Sequence, residues 1–153
     1  MAEPVRHPRL STDVLDRSIA YKLRLAQIVA WRAFEGRVSG YGTAPRYLGL
    51  ITLIGANPGQ PQSRLAEAVA LQRSSLVAIL DRLEAEGIVE RRGDEKDRRL
   101  KTVWLTPSGQ KQLEELSVIA ARHEEQLGRG LDAEERERII AALDRLIENL
   151  RES

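Results

Sequence analysis

The segment from Gln62 to Thr106 leaves few folds open to this chain. It starts with two short amphipathic stretches. Pro61 opens the first, with Leu65, Ala66 and Val69 on its apolar side; the second spans about Gln72–Glu86 and carries Leu76, Ile79, Leu80 and Leu83. Gly87 follows as a left-handed helix stop. Ile88–Arg92 and Leu100–Leu105 then alternate in character around a charged turn, the pattern of a two-stranded ribbon. Helix, helix, strand, charged loop, strand is the order of a winged helix-turn-helix, a device that lays its second helix in the DNA major groove. The sequence points first to DNA.

Helical patterns flank this segment on both sides. One runs from about Ser11 or Thr12 to Arg37, with Val14, Leu15, Ile19, Leu23, Ile28 and Phe34 at roughly helical spacing. The turn-forming run Ser39–Pro45 separates it from a helix that takes Pro45 in its first turn and stops at Asn57-Pro58-Gly59. Beyond the ribbon, Thr106-Pro107 reads as an N-cap followed by proline at the first helical position, and that helix extends toward Gly128. Asp132-Ala-Glu-Glu135 is a capping box for the last helix. Its Ile139, Ile140, Leu143, Leu146, Ile147 and Leu150 form an apolar stripe. On a helix otherwise so charged, the stripe needs a partner, either a helix of the same chain or a second subunit. The reading is mainly α with a small β-wing. It is one domain over 1–153, with helices at about 11–37 and 107–151 around a winged helix-turn-helix at about 45–106.

Composition removes several alternatives. At 153 residues the chain is long enough for one real core. No apolar run approaches the roughly 18–20 residues of a membrane span. Met1–Arg9 lacks the apolar centre of a secretory signal, so a cytoplasmic protein with no membrane partner is expected. With no cysteine there is no disulfide framework, thiolate metal site or thiol redox switch. The net charge of +1 looks weak for a nucleic-acid binder, but it is unevenly spread. Residues 1–48 carry eight Lys/Arg against four Asp/Glu, and residues 114–153 carry six against eleven. Within Arg91–Lys101, six basic residues face three acids. Such a run is either a solvated face or a phosphate contact, and its place in the ribbon loop favours phosphate.

The first turn of the second stretch has the residue types that a groove-reading helix needs. Arg73 can bond guanine bidentately, and Ser74 and Ser75 can serve a base or a phosphate, although serine also favours helix starts for its own reasons. Candidate DNA contacts are Arg73, Ser74, Ser75, Val77, Ala78 and Arg82 on this helix, with Arg98 and Arg99 on the wing. A narrow minor groove attracts inserted arginine, and Asp97 would support the wing by pairing with a neighbouring arginine and orienting it.

The stretch Ser75–Arg91, then Asp94-Glu-Lys-Asp-Arg-Arg99 and Val103-Trp-Leu-Thr-Pro-Ser-Gly109, closely resembles MarR-family transcriptional regulators, most strongly over about Leu48–Leu116. The resemblance implies a homodimer whose N- and C-terminal helices interlock, which makes the Ile139–Leu150 stripe an intersubunit surface. It also implies binding to a pseudo-palindrome, with Arg99 in the minor groove supported by Asp97. This chain departs from the family by carrying Val77 and Ala78 where a polar residue and an arginine are common. Base reading then leans on Arg73, Ser74, Ser75 and thymine methyl contacts.

A small-molecule pocket between the dimerisation helices and the DNA-binding lobe is implied as well, for an aromatic or phenolic acid or its thioester. Arg24, Trp31, Arg46 and Tyr47 are the candidate lining, although Trp31 and Tyr47 also suit plain core or interface positions.

Other classes fare poorly. Only His7 and His123 are present, the latter expected to be solvated in mid-helix, and two scattered histidines do not make a metal site. There is no nucleophile elbow, phosphate loop or dinucleotide fingerprint, so neither an enzyme nor a cofactor is expected. A winged-helix protein-interaction module is the alternative, but Arg73, Arg98 and Arg99 argue against it. The expected protein is a sequence-specific, double-stranded-DNA-binding repressor released by a small organic effector.

Overall fold

A computed structural model describes residues 10 and 12–151 of the chain. It opens with two helices, α1 (Asp13–Asp16) and α2 (Ile19–Glu35), where the sequence pattern reads as one. Two N-caps cause the break. Thr12 Oγ1 accepts the Leu15 N–H at 3.1 Å and Ser18 Oγ accepts that of Tyr21 at 3.2 Å, so each starts its own helix. Ser11 and His7 lie outside the described residues.

A 3-10 turn over Ala44–Tyr47 then leads into α3 (Leu48–Ala56). Pro45 therefore sits in that turn rather than in the helix it was expected to open. Gln60-Pro61 forms a short strand, β1, before α4 (Gln62–Ala68) and α5 (Arg73–Ala85). The turn between these two helices holds Ala70 at φ 53°, the left-handed region where glycine is the usual occupant. There the Leu71 N–H reaches back to the Ala66 carbonyl at 2.9 Å.

The ribbon is β2 (Val89–Gly93) and β3 (Lys101–Leu105), in register from Val89 opposite Leu105 to Gly93 opposite Lys101. A two-stranded wing was expected; the sheet has three strands in the order β1-β3-β2. The extra strand pairs Gln60 with Val103, and Pro61, having no N–H, suits an edge. It ties the start of the helix-turn-helix to the base of the wing.

Long helices complete the chain. Thr106 begins α6 (Pro107–Leu127) by accepting the Gly109 N–H at 2.9 Å, while its own hydroxyl donates to the Gly87 carbonyl. A Cβ at Gly109 would lie 1.9 Å from the Ile88 carbonyl oxygen, so only glycine lets α6 approach the ribbon this closely. The expected capping box of α7 (Ala133–Arg151) is present, with Asp132 and Glu135 exchanging two 2.8 Å bonds.

The core sits within the winged helix-turn-helix and the two helices packed on it. Ile51 and Ile54 of α3, Leu76, Leu80 and Leu83 of α5, and Leu116 of α6 are at most 1% exposed. Each such side chain contributes roughly 1.5–3 kcal/mol of burial. The ends of the chain differ sharply: α7 has no buried residue, and Val14, Ile19 and Val29 on α1–α2 are 79%, 60% and 56% exposed.

Candidate functional site

Burial fixes which face of α5 is free. Leu76, Leu80 and Leu83 recur at steps of four and three and turn one side inward. The opposite side leaves Arg73, Ser74, Ser75, Ala78 and Arg82 exposed, with Val77 half-buried at the margin. The helix begins at Gln72 with no side-chain cap, so its first N–H groups and the positive end of its dipole face outward. Small and donor-bearing side chains at an uncapped helix start suit close approach to a phosphate backbone.

The ribbon is latched to this helix. Arg91 on β2 reaches Asp81 at 2.6 Å and Glu84 at 2.5 Å, both on α5, while the Glu84 carboxylate also accepts the Arg91 backbone N–H at 3.1 Å. The hydrogen bond from Arg91 holds the Glu84 carboxyl below its ordinary range, and the same pair raises the Arg91 guanidinium. Arg91 therefore joins the wing to α5 rather than offering its charge outward. Arg92 is also engaged, pairing with Glu90 and lying 4.5 Å over the Trp104 ring.

The remaining cations are at the tip. Arg98 and Arg99 are exposed, and among the described residues neither guanidinium has a hydrogen-bond or ion-pair partner. Asp97 was expected to orient an arginine through its guanidinium. Instead its carboxylate accepts the backbone N–H of Arg99 at 3.0 Å, which sets the chain direction and leaves the side chain free. Asp94, not singled out in the sequence, organises the turn: its carboxylate accepts N–H groups of Lys96 (2.7 Å) and Asp97 (3.1 Å), which lower its pKa.

Two adjoining cavities lie behind this surface, on either side of Trp31, Pro45 and Arg46. The larger, about 640 Å³ and open on one side, is lined by α2, the 3-10 turn with the start of α3, and α6. Ile28, Trp31, Phe34 and Leu48 make its apolar walls; Gln27, Arg46, His123 and Glu124 bring polar groups. Its size and mixed lining are those of a small-molecule site.

The smaller cavity, about 460 Å³, runs under the Ser39–Thr43 loop to Tyr47 and to Arg82 of α5. At its edge the Glu86 carboxylate accepts both the N–H (3.0 Å) and the hydroxyl (2.8 Å) of Thr43, pinning that loop to the end of α5. Of the four sequence candidates, Trp31, Arg46 and Tyr47 line these spaces and Arg24 lines neither. His123, expected to be solvated, is half-buried with its ring 5.3 Å from that of Phe34. The α6 register that turns it inward follows from Leu113 and Leu116, but no sequence pattern marked it as polar lining.

An exposed, uncapped helix after a tight turn, a cationic wing latched to it, and flanking helices around a cavity define a DNA-binding regulator of the winged helix-turn-helix class. Residues 43–101 match the MarR family model. Over 129 residues, 84% of this chain and 78% of the relative, the sequence is 33% identical to a Thauera aromatica protein proposed as the transcriptional regulatory protein for the hcr operon. The fold superposes on the transcriptional repressor CouR bound to a 23-mer DNA duplex with a TM-score of 0.82, at 28% identity, covering 92% of this chain and 99% of that one. CouR bound to p-coumaroyl-CoA gives 0.80 at 26% identity, covering 91% and 98%. The PcaV regulator from Streptomyces coelicolor, in complex with its natural ligand, gives 0.76 at 25%, covering 92% and 98%. The chain belongs to the MarR family and is a transcriptional regulator, not an enzyme. Among the described residues no helix is long and apolar enough to cross a membrane.

Proposed function

We propose that this protein is a cytoplasmic homodimeric repressor that grips a pseudo-palindromic operator and lets go when an aromatic or phenolic acid, or its thioester, fills the larger cavity. The observation that carries this reading is the presence, in one chain, of an unpaired cationic tip and an open helix face in front of a roughly 640 Å³ cavity. The apolar faces of α1–α2 and α7, exposed in a single chain, supply a surface for a second copy, and two copies present two reading helices. Relatives bound to DNA, to p-coumaroyl-CoA and to a natural ligand support both halves. On this reading Arg73, Ser74, Ser75, Val77, Ala78 and Arg82 meet the major groove while Arg98 and Arg99 meet the flanking backbone and minor groove, with Asp97 setting the wing. An occupant reaching the second cavity touches Arg82 and the Thr43–Glu86 contact, which links ligand to reading helix.

The test begins by mapping the DNA that the protein binds across the genome, then titrating that duplex by fluorescence anisotropy. Arg99→Ala should weaken all duplexes alike and lower the salt dependence by about one counterion. Arg73→Ala or Ser75→Ala should cost about 1–3 kcal/mol on the cognate site alone. Unchanged operator binding by the Arg99 variant at physiological salt rules out the wing contact.

A further inference from the structure

The chain that leaves α2 is tied to two different helices before it enters the 3-10 turn. The Arg37 guanidinium donates to Gln126 Oε1 and the Tyr41 hydroxyl to Glu115 Oε2 (3.1 Å), both on α6. The other tie is to the end of α5, where Glu86 accepts the N–H (3.0 Å) and the hydroxyl (2.8 Å) of Thr43. Glu86 is held for this contact from behind. The Gly87 N–H bonds the Glu84 carbonyl at 3.0 Å and the Ile88 N–H bonds that of Leu83 at 2.8 Å, a closure that fixes the backbone around it. The loop is shaped for it too. Gly42 stands at φ 61°, and a Cβ there would meet Glu86 Oε2 at 2.6 Å and push the carboxylate off Thr43. Packing does not replace these bonds, because the smaller cavity runs beneath Ser39, Gly40, Gly42 and Thr43.

We infer that Glu86 is a positioning residue that fixes the reading helix against the dimerisation arm, and so sets the half-site spacing that the protein accepts. The inference rests on the reading that two copies grip a pseudo-palindrome through the apolar faces of α1–α2 and α7. On that reading the first part of α2, exposed throughout from Ile19 to Val29 in one chain, belongs to the arm. α5 belongs to the lobe, where it packs chiefly on α4 and β2. The loop over residues 36–43 is the join, and among the described residues the Thr43–Glu86 bonds are its hydrogen-bonded tie to α5. One base pair more or less between half-sites moves the second by about 3.4 Å along the duplex and turns it by about 35°. A lobe tied through both α5 and α6 resists that screw motion, and one tied through α6 alone follows it. Holding two reading helices at one separation also lowers the ordering cost on the matching site.

The experiment titrates the full-length protein, by fluorescence anisotropy, with its genome-mapped operator and with versions carrying one base pair inserted or deleted at the dyad. A duplex holding a single half-site is the control. The wild type should prefer the native spacing by about tenfold or more. In Glu86→Ala the native operator should weaken and that preference shrink to about threefold or less, with half-site affinity unchanged. Thr43→Val, which keeps the N–H bond, should fall between the two, and Thr43→Ser, which keeps both donors, should match the wild type. If Glu86→Ala does not fold, Thr43→Val decides alone. A spacing preference unchanged in these variants, or a loss by one common factor on every duplex, overturns the role of Glu86 while the dimer reading stands. So does a wild type that binds all spacings alike. If one chain occupies each operator, both are overturned.

Discussion

Replacing Arg91 with methionine measures how firmly the wing is joined to the reading helix. Methionine keeps most of the stem and removes the charge. The Arg91 side chain is 19% exposed, against 39% for Glu84 and 57% for Asp81, so the Glu84 contact is the better shielded of the two. Exposed pairs are worth about 0.2–1 kcal/mol. The Glu84 pair, reinforced by a backbone bond, should couple at about 1 kcal/mol and the Asp81 pair at about half that. Together they set a loss of about 1–2 kcal/mol for Arg91→Met. Denaturant unfolding at fixed protein concentration, in a double-mutant cycle with Glu84→Gln and Asp81→Asn, reads both couplings.

The pH dependence adds a check with a definite sign. Glu84 is held below its unfolded pKa, so its contribution is complete above about pH 4.5 and disappears as pH falls through the folded value. The gap between wild type and Arg91→Met should therefore narrow as pH falls below about 4.5 and the carboxyl protonates. A wing freed from α5 must also be ordered on DNA, which should weaken operator binding by up to the same 1–2 kcal/mol, about five- to thirtyfold. A coupling energy near zero with Glu84, or a gap that stays constant into acid, would refute the latch.

Two more changes probe the scaffold. Gly109→Ala brings a Cβ to 1.9 Å from the Ile88 carbonyl oxygen and should cost at least about 3 kcal/mol by thermal unfolding, although alanine favours helix by about 1 kcal/mol. A more stable variant would show that α6 does not press on the ribbon. Ile140→Asp combined with Ile147→Asp places two charges on the α7 stripe, where the native side chains are 59% and 48% exposed in the single chain. Sedimentation velocity should find a monomer that no longer binds the operator; an intact dimer would place the interface elsewhere.

The elements that the sequence displays best are those with both a period and a terminator. The α5–Gly87–ribbon–Thr106 run has Leu76, Leu80 and Leu83 at helical spacing, a glycine at φ 74° and an N-cap, and its strands fall within a residue of their expected ends. Ser18 was harder to see, because a serine inside an apolar pattern looks like a surface residue until its hydroxyl is found capping Tyr21. β1 is two residues long and exists only through pairing with β3, so no local signal marks it. Charge was the least predictable property. Arg91 and Arg99 look alike in a list of basic residues, yet one is bound to Asp81 and Glu84 and the other projects from the tip. Which arginine is spent inside the molecule depends on strand register and on what α5 presents across it. The cavity was likewise only half readable. Trp31 and Arg46 were marked by chemistry, whereas His123 became visible only once α6 was set against Phe34.

The chain contains two tryptophans, and they occupy opposite ends of its functional surface. Trp31 forms the wall shared by the two cavities. Trp104 sits at the base of the wing, its indole N–H on Thr102 at 3.0 Å, Arg92 stacked over its ring and Gly59 packed tightly against it. Each is therefore an optical reporter already in place. A Trp104→Phe protein emits only from the cavity wall, and a Trp31→Phe protein only from the ribbon. Titrating ligand into the first and DNA into the second separates filling of the cavity from engagement of the wing without any added dye. Titrating ligand into the second, where no cavity tryptophan remains, records whether the signal crosses the molecule, and stopped-flow mixing gives the time it takes.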